Sequence, residues 1–96
     1  MRDKNEIVAL LGQHLPALRE RYFLESVALF GSYARGEQCT DSDIDLLVKF
    51  SQPVGIEIVD LVMELEDILG QHVDVVTYDA VKNRLFHHIK DELAYA

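Results

Sequence analysis

Asp43 and Asp45 stand one residue apart at the head of the run Asp43-Ile44-Asp45-Leu46-Leu47-Val48-Lys49-Phe50, and no feature of the chain restricts its fold more. The alternation predicts a strand over Asp43 to Phe50. Ile44, Leu46, Val48 and Phe50 share one face, and Asp43, Asp45, Leu47 and Lys49 share the other. The first face belongs in a core, and a slip of one residue would bury the acids, so the register is fixed. The second face carries two carboxylates side by side. They repel each other and raise each other's pKa, a cost that a stable strand carries only if the acids bind something. A divalent cation removes the repulsion. Mg²⁺ prefers a few carboxylates together with phosphate oxygens.

The phosphate end is supplied upstream. Ser26 to Phe30 reads as a short buried strand that ends at Gly31-Ser32-Tyr33-Ala34-Arg35-Gly36. Gly31 lets the backbone approach a ligand closely, and Ser32 is suited to cap a helix whose free N–H groups attract anions. Ser32 to Arg35 is expected to form a helical turn ended by Gly36, and Glu37 to Ser42 a polar loop. Gly31 and Ser32 read together with the acids as a metal-dependent site for a nucleoside triphosphate; Arg35 reads equally as a residue that holds phosphate or offsets charge there and as an ordinary surface arginine. Tyr33 is expected to pack, and Lys49, on the acid face, to stay at the surface or reach a triphosphate.

A third acid comes from Val73-Asp74-Val75-Val76-Thr77, which reads as a strand with Val73 and Val75 on one side and Asp74 and Val76 on the other. If this strand lies beside the first acid strand, Asp74 approaches Asp43 and Asp45, and three converging carboxylates suit a two-metal site. An edge acid also discourages aggregation, which is the simpler use of Asp74. Asp79 is a weaker substitute, because it falls beyond the strand end.

The remaining pattern is helical. Asp3 with Glu6 resembles a capping box, and Ile7, Leu11, Leu15, Leu18 and Tyr22 follow at helical spacing, with Pro16 expected to kink or divide the helix. Ile58, Leu61, Val62, Leu65, Ile68 and Leu69 predict an amphipathic helix stopped by Gly70. From about Val81, Leu85, Phe86, Ile89 and Leu93 predict a last helix. Its apolar stripe is expected in the core, with any excess left for a partner or a homo-oligomer. The fold class is therefore α/β (α+β): a small mixed sheet of about three strands with helices packed on it, in one domain over residues 1–96.

Composition narrows the function. The chain has 96 residues and a net charge of -8, which argues against direct nucleic-acid binding, since phosphate backbones need clustered Lys and Arg. It suits a basic protein partner. Cys39 is the only cysteine, so neither an internal disulfide nor a Cys-based zinc site can form. The polar N-terminus does not read as a signal peptide, and no apolar run approaches membrane-spanning length, so a cytoplasmic location without membrane attachment is expected. His87 and His88 read as a solvated helix face, and His14 and His72 carry no functional expectation.

Gly31-Ser32, ten intervening residues, then Asp43-x-Asp45 resembles the signature of the polymerase-beta-like nucleotidyltransferase superfamily. The fuller form, with Arg35-Gly36 and Ser42-Asp43-Ile44-Asp45-Leu46, is similar to its minimal branch, the MNT-domain proteins of prokaryotes, over nearly the whole chain. The resemblance implies a nucleotidyltransferase core in which Gly31 and Ser32 hold the triphosphate and Asp43 and Asp45 ligate two Mg²⁺ ions. Asp74 would bind metal as well and help activate the acceptor hydroxyl. It also implies a partner. MNT proteins are commonly paired, as antitoxins, with helical HEPN-type ribonuclease toxins, and some transfer AMP from ATP to a toxin tyrosine. The implied function is that transfer. The alternatives are an antitoxin that neutralises by binding alone and a nucleotidyltransferase acting on a small molecule.

Overall fold

The computed structural model describes residues 2–81 and 84–96. Helix α1 (Lys4–Tyr22) starts where expected: Asp3 is its N-cap and accepts the Glu6 N–H at 2.8 Å, which satisfies one of the orphan donors of the first turn. Pro16 does not divide it; the helix continues across it for another turn and more. Pro16 removes the N–H that would bond the Gly12 carbonyl, but both residues lie on the exposed side, where water can take that carbonyl. The stripe Ile7, Leu11, Leu15 and Leu18 is buried on the opposite side. The helix ends at Phe23, a left-handed residue with φ 58°.

Strands β1 (Leu24–Phe30) and β2 (Ile44–Phe50) pair antiparallel, with the short helix α2 (Ser32–Arg35) between them. Helix α3 (Glu57–Leu69) then crosses over to β3 (Val73–Thr77), which pairs parallel with β2. Parallel neighbours need a crossover of a dozen or more residues, and α3 provides it. Gly70, with φ 70°, is the expected stop of α3. Ile44, Leu46 and Val48 are fully buried on the sheet face covered by α1 and α3, together with Val27, Leu29, Leu61 and Leu65.

The chain's end departs from the expected single helix. It forms two short helices, α4 (Tyr78–Val81) and α5 (Leu85–Ile89), and then a two-residue strand β4 (Ala94–Tyr95) that pairs antiparallel with β1. Positions 82 and 83 of the expected helix lie outside the described residues. Leu93 is therefore not the last residue of a helical stripe but leads into a strand, and the sheet has four strands in the order β3-β2-β1-β4. A two-residue strand shows no period, so only its pairing defines it. The tail still buries apolar surface: Val81 and Ile89 pack with Phe30 and Leu47 in a second cluster on the other sheet face, flanked by Phe86 and Leu93. Among the described residues, no helix is long and apolar enough to cross a membrane.

The topology brings four chain segments to one edge. β1 ends there, β2 and β3 both begin there because they are parallel, and β4 begins there because it is antiparallel to β1.

Candidate active site

The residues at that edge are the ones the sequence singled out. Asp45 is the second residue of β2 and Asp74 the second of β3, and the register places them directly opposite each other. Their side chains share the sheet face that carries Leu47 and Val76, since side chains alternate along each strand. Asp43 falls just before β2 and is exposed, with Oδ1 3.5 Å from Nδ1 of His72. Its loop is closed by reciprocal contacts: Ser42 N–H donates to the Cys39 carbonyl at 3.0 Å, and Cys39 N–H donates to Ser42 Oγ at 3.0 Å. The Ser42 hydroxyl also draws the exposed Cys39 thiol below its usual pKa.

The other side of Asp45 is the β1 terminus. Phe30 is its partner across the β1–β2 pair, and Gly31 follows. Gly31 has φ 78° and ψ -156°, a backbone conformation reserved almost wholly for glycine. A Cβ there would stand 2.9 Å from Cγ of Asp45 and closer still to Oδ2. So the glycine is required twice: once by its own dihedrals and once by the carboxylate packed against it. Gly31, not Ser32, is the N-cap of α2, and no side-chain cap hydrogen bond forms. The expected capping role of Ser32 is thus not what the structure shows, because the positive φ of Gly31 already turns the chain and leaves Ser32 as the first helical residue. Gly36, with φ 70°, ends α2 as expected.

The electrostatics single out Asp45. Partial burial, then the carboxylates of Asp74 and Asp43, push its carboxyl above the usual aspartate pKa, while Arg35 pulls it down and Glu92 adds to the push. Asp45 therefore feels both other acids across the β2–β3 edge. Among the described residues, however, no three His, Cys, Asp or Glu side chains already stand close enough to hold a metal ion. The donor set still fits a hard cation: all are carboxylate oxygens, and their mutual repulsion is the term that a divalent ion cancels.

Arg35 lies within this field but is engaged. Its Nε donates to Glu37 at 2.9 Å, and its Nη1 donates to Glu92 Oε2 at 3.1 Å. Those carboxylates, Glu37 foremost, raise its pKa further. Lys49 sits at the far end of β2, 3.2 Å from Glu25 and over the ring of Tyr78, and so does not serve the acids. Tyr33 is buried as expected, its hydroxyl accepting from Gln71 Nε2 at 2.6 Å. Asp79 follows the opposite end of β3, where it lines a cleft of about 450 Å³ with Phe50 and Thr77. The structure therefore removes it as a substitute for Asp74.

Two residues at the edge had no functional expectation from the sequence: His72, which stands beside Asp43, and Glu92, whose Oε2 accepts the Gly31 N–H at 2.6 Å. No local pattern marks Glu92, since its contact with Gly31 spans 61 residues of sequence.

Comparison with known proteins identifies relatives of the whole fold. Residues 15–94 match the family described as Polymerase beta, Nucleotidyltransferase. A candidate protein adenylyltransferase of Methanocaldococcus jannaschii is 40% identical over 99 residues, an alignment that takes in 99% of each chain. Among solved structures, a candidate minimal nucleotidyltransferase superposes with a TM-score of 0.80 at 34% identity, covering 97% of this chain and 95% of that one. A toxin–antitoxin crystal structure with AMP-PNP includes a chain with a TM-score of 0.68 and 26% identity, covering 98% of this chain and 72% of that one.

Proposed function

The chain belongs to the polymerase beta nucleotidyltransferase family, and on that footing we propose that it is the antitoxin of a toxin–antitoxin pair, a Mg²⁺-dependent protein adenylyltransferase that moves AMP from ATP to a tyrosine of a HEPN-type toxin. The observation that carries this reading is the register of Asp45 with Asp74 at the edge where Gly31 turns. An inert binding surface gains nothing from carboxylates that repel one another. The 40% identity to a candidate protein adenylyltransferase supports the reaction, and the likeness to a toxin–antitoxin chain solved with AMP-PNP supports both nucleotide and partner.

In this reading Asp43, Asp45 and Asp74 would hold the metal. Bound there, as the two ions proposed, Mg²⁺ would neutralise charge on the triphosphate and so favour in-line displacement at its α-phosphorus. Gly31, lacking a Cβ, lets the triphosphate approach the backbone at the turn, with Ser32 beside it. Arg35 offsets negative charge there. Asp74, the more exposed of the two paired acids, accepts the proton of the acceptor tyrosine hydroxyl. The tyrosine oxygen forms its bond to the α-phosphorus as the bond to the β-phosphate oxygen breaks, and pyrophosphate leaves.

The test is mass spectrometry of the toxin after incubation with ATP, Mg²⁺ and either the wild-type protein or Asp43→Asn/Asp45→Asn. The wild type should add 329 Da units (about one AMP less water each), and the double variant should bind the toxin without modifying it. A toxin that the wild type neutralises while leaving its mass unchanged refutes the transferase and leaves an antitoxin that acts by contact.

A further inference from the structure

Glu92 has no part in the reaction above, yet its carboxylate engages two of the groups assigned to the nucleotide. Oε2 accepts the Gly31 backbone N–H at 2.6 Å and lies 3.1 Å from Arg35 Nη1, while Oε1 lies 3.3 Å from the same nitrogen. The side chain is only 19% exposed. A backbone N–H and a guanidinium converging on one anionic group is also how a phosphate oxygen is held, and carboxylate and phosphate compete for such donors. The negative charge of Glu92 is felt as far as Asp45, whose carboxyl it helps to raise.

We propose that Glu92 is an internal competitor of the nucleotide: its carboxylate occupies the Gly31–Arg35 donors, the triphosphate must displace it, and this competition sets the affinity for phosphorylated ligands. The inference rests on the assignment of Gly31 and Arg35 to the nucleotide. The backbone at Glu92 is anchored on both sides. Its N–H donates to the Ile89 carbonyl at 2.9 Å, and beyond it the Ala96 N–H donates to the Val27 carbonyl at 3.0 Å. Displacement is therefore a side-chain rotation rather than release of the tail. A glutamate so placed favours ligands that bring several negative charges together with a divalent cation. It disfavours weakly charged ones, which cannot outbid a carboxylate already in place.

The experiment is calorimetric titration of ATP with Mg²⁺, and of adenosine, into the wild-type protein and Glu92→Gln. Glutamine keeps the size and an acceptor for the Gly31 N–H but removes the charge, and a matched thermal melt confirms that the variant is folded. Glu92→Gln should bind Mg²⁺-ATP roughly tenfold more tightly, the scale of one charge-assisted hydrogen bond removed from a competitor. Adenosine, which has no phosphate to compete, should bind both proteins alike. Unchanged or weaker ATP binding by Glu92→Gln, where the wild type binds ATP, overturns the competition and makes Glu92 a residue that only positions Gly31 and Arg35. Failure of both proteins to bind Mg²⁺-ATP overturns the nucleotide assignment itself, and this inference with it.

Discussion

Gly31 and Asp45 are packed so closely that a Cβ on Gly31 would lie 2.9 Å from Cγ of Asp45. Gly31→Ala therefore meets two penalties, the φ of 78° and the collision. The expected loss is about 1–3 kcal/mol, or on the order of 5–15 °C in Tm for a domain of this size. Gly36→Ala is the control. Its φ is 70° but nothing lies within 4 Å of the added Cβ, so only the conformational cost of about 1 kcal/mol applies. The steric part is isolated by a double-mutant cycle. Gly31→Ala should cost less in an Asp45→Ala background than in the wild type, by at least about 0.5 kcal/mol. Strict additivity in thermal or urea melts would show that the carboxylate does not press on the turn.

Asp45 should be a source of instability that the function requires. Its folded carboxyl titrates above the ordinary aspartate value, owing first to burial and then to Asp74 and Asp43. In the window between the unfolded and the folded pKa, the folded state binds more protons than the unfolded one. Stability therefore falls as pH rises through that window, and the deficit persists at neutral pH. Asp45→Asn should raise the Tm of the metal-free protein at neutral pH and flatten its decline from mildly acidic pH upward, while lowering AMP transfer about a thousandfold, or roughly 4 kcal/mol. Melts in chelator across that range, beside a transfer assay, measure both. A variant less stable than the wild type at neutral pH would contradict the assigned direction.

Helix α1 carries a removable defect. Pro16 lies inside it, and Gly12, four residues earlier, owns the carbonyl that the ring deprives of a donor and crowds. Both are exposed, and a Cβ on Gly12 meets nothing within 4 Å. Pro16→Ala restores the hydrogen bond and should stabilise the protein by about 1–2 kcal/mol, less than the full ~3 kcal/mol helix-interior cost of proline because the unfolded chain also gains freedom. Gly12→Ala in that background should add about 0.5–1 kcal/mol. Urea melts decide it. If Gly12→Ala destabilises the wild type yet stabilises Pro16→Ala, then glycine at position 12 is what lets the helix accept the proline.

These residues also show where the sequence could be read. The faces of β2 and β3, the acids Asp43, Asp45 and Asp74, and the glycine stops at Gly36 and Gly70 were legible because each is a local pattern with a local physical cause. The continuity of α1 was not, because whether a proline breaks a helix depends on whether its orphaned carbonyl reaches water and on how much the buried stripe Ile7, Leu11, Leu15 and Leu18 holds the two halves in line. Nor was the fate of the tail. The spacing of Leu85, Phe86, Ile89 and Leu93 fits a helix, but the chain gains more from Val81 and Ile89 on Leu47 and from two residues of β4 on β1. Glu92 was invisible for the same reason, since its contact with Gly31 spans 61 residues of sequence.

Asp74 should separate binding from chemistry. It is exposed and lies opposite Asp45 on the outer strand of the acid pair, so under the proposed mechanism its removal would leave Asp43 and Asp45 to hold a nucleotide-bound metal. Asp74→Asn should therefore bind Mg²⁺-ATP within about fivefold of the wild type, roughly 1 kcal/mol, and keep its Tm within a few degrees, because no core contact is lost. Single-turnover AMP transfer should nevertheless fall by about 100–10,000-fold, the usual contribution of a positioned base. If the lost group is the base, raising the pH should recover part of the rate in the variant, as the acceptor tyrosine ionises without help, while the wild-type rate changes little. Asp45→Asn should show no such recovery, since in the proposed mechanism it would remove a metal ligand rather than a proton acceptor. Equal pH profiles for the two variants would move Asp74 out of the acceptor's chemistry and leave it as a metal ligand alone.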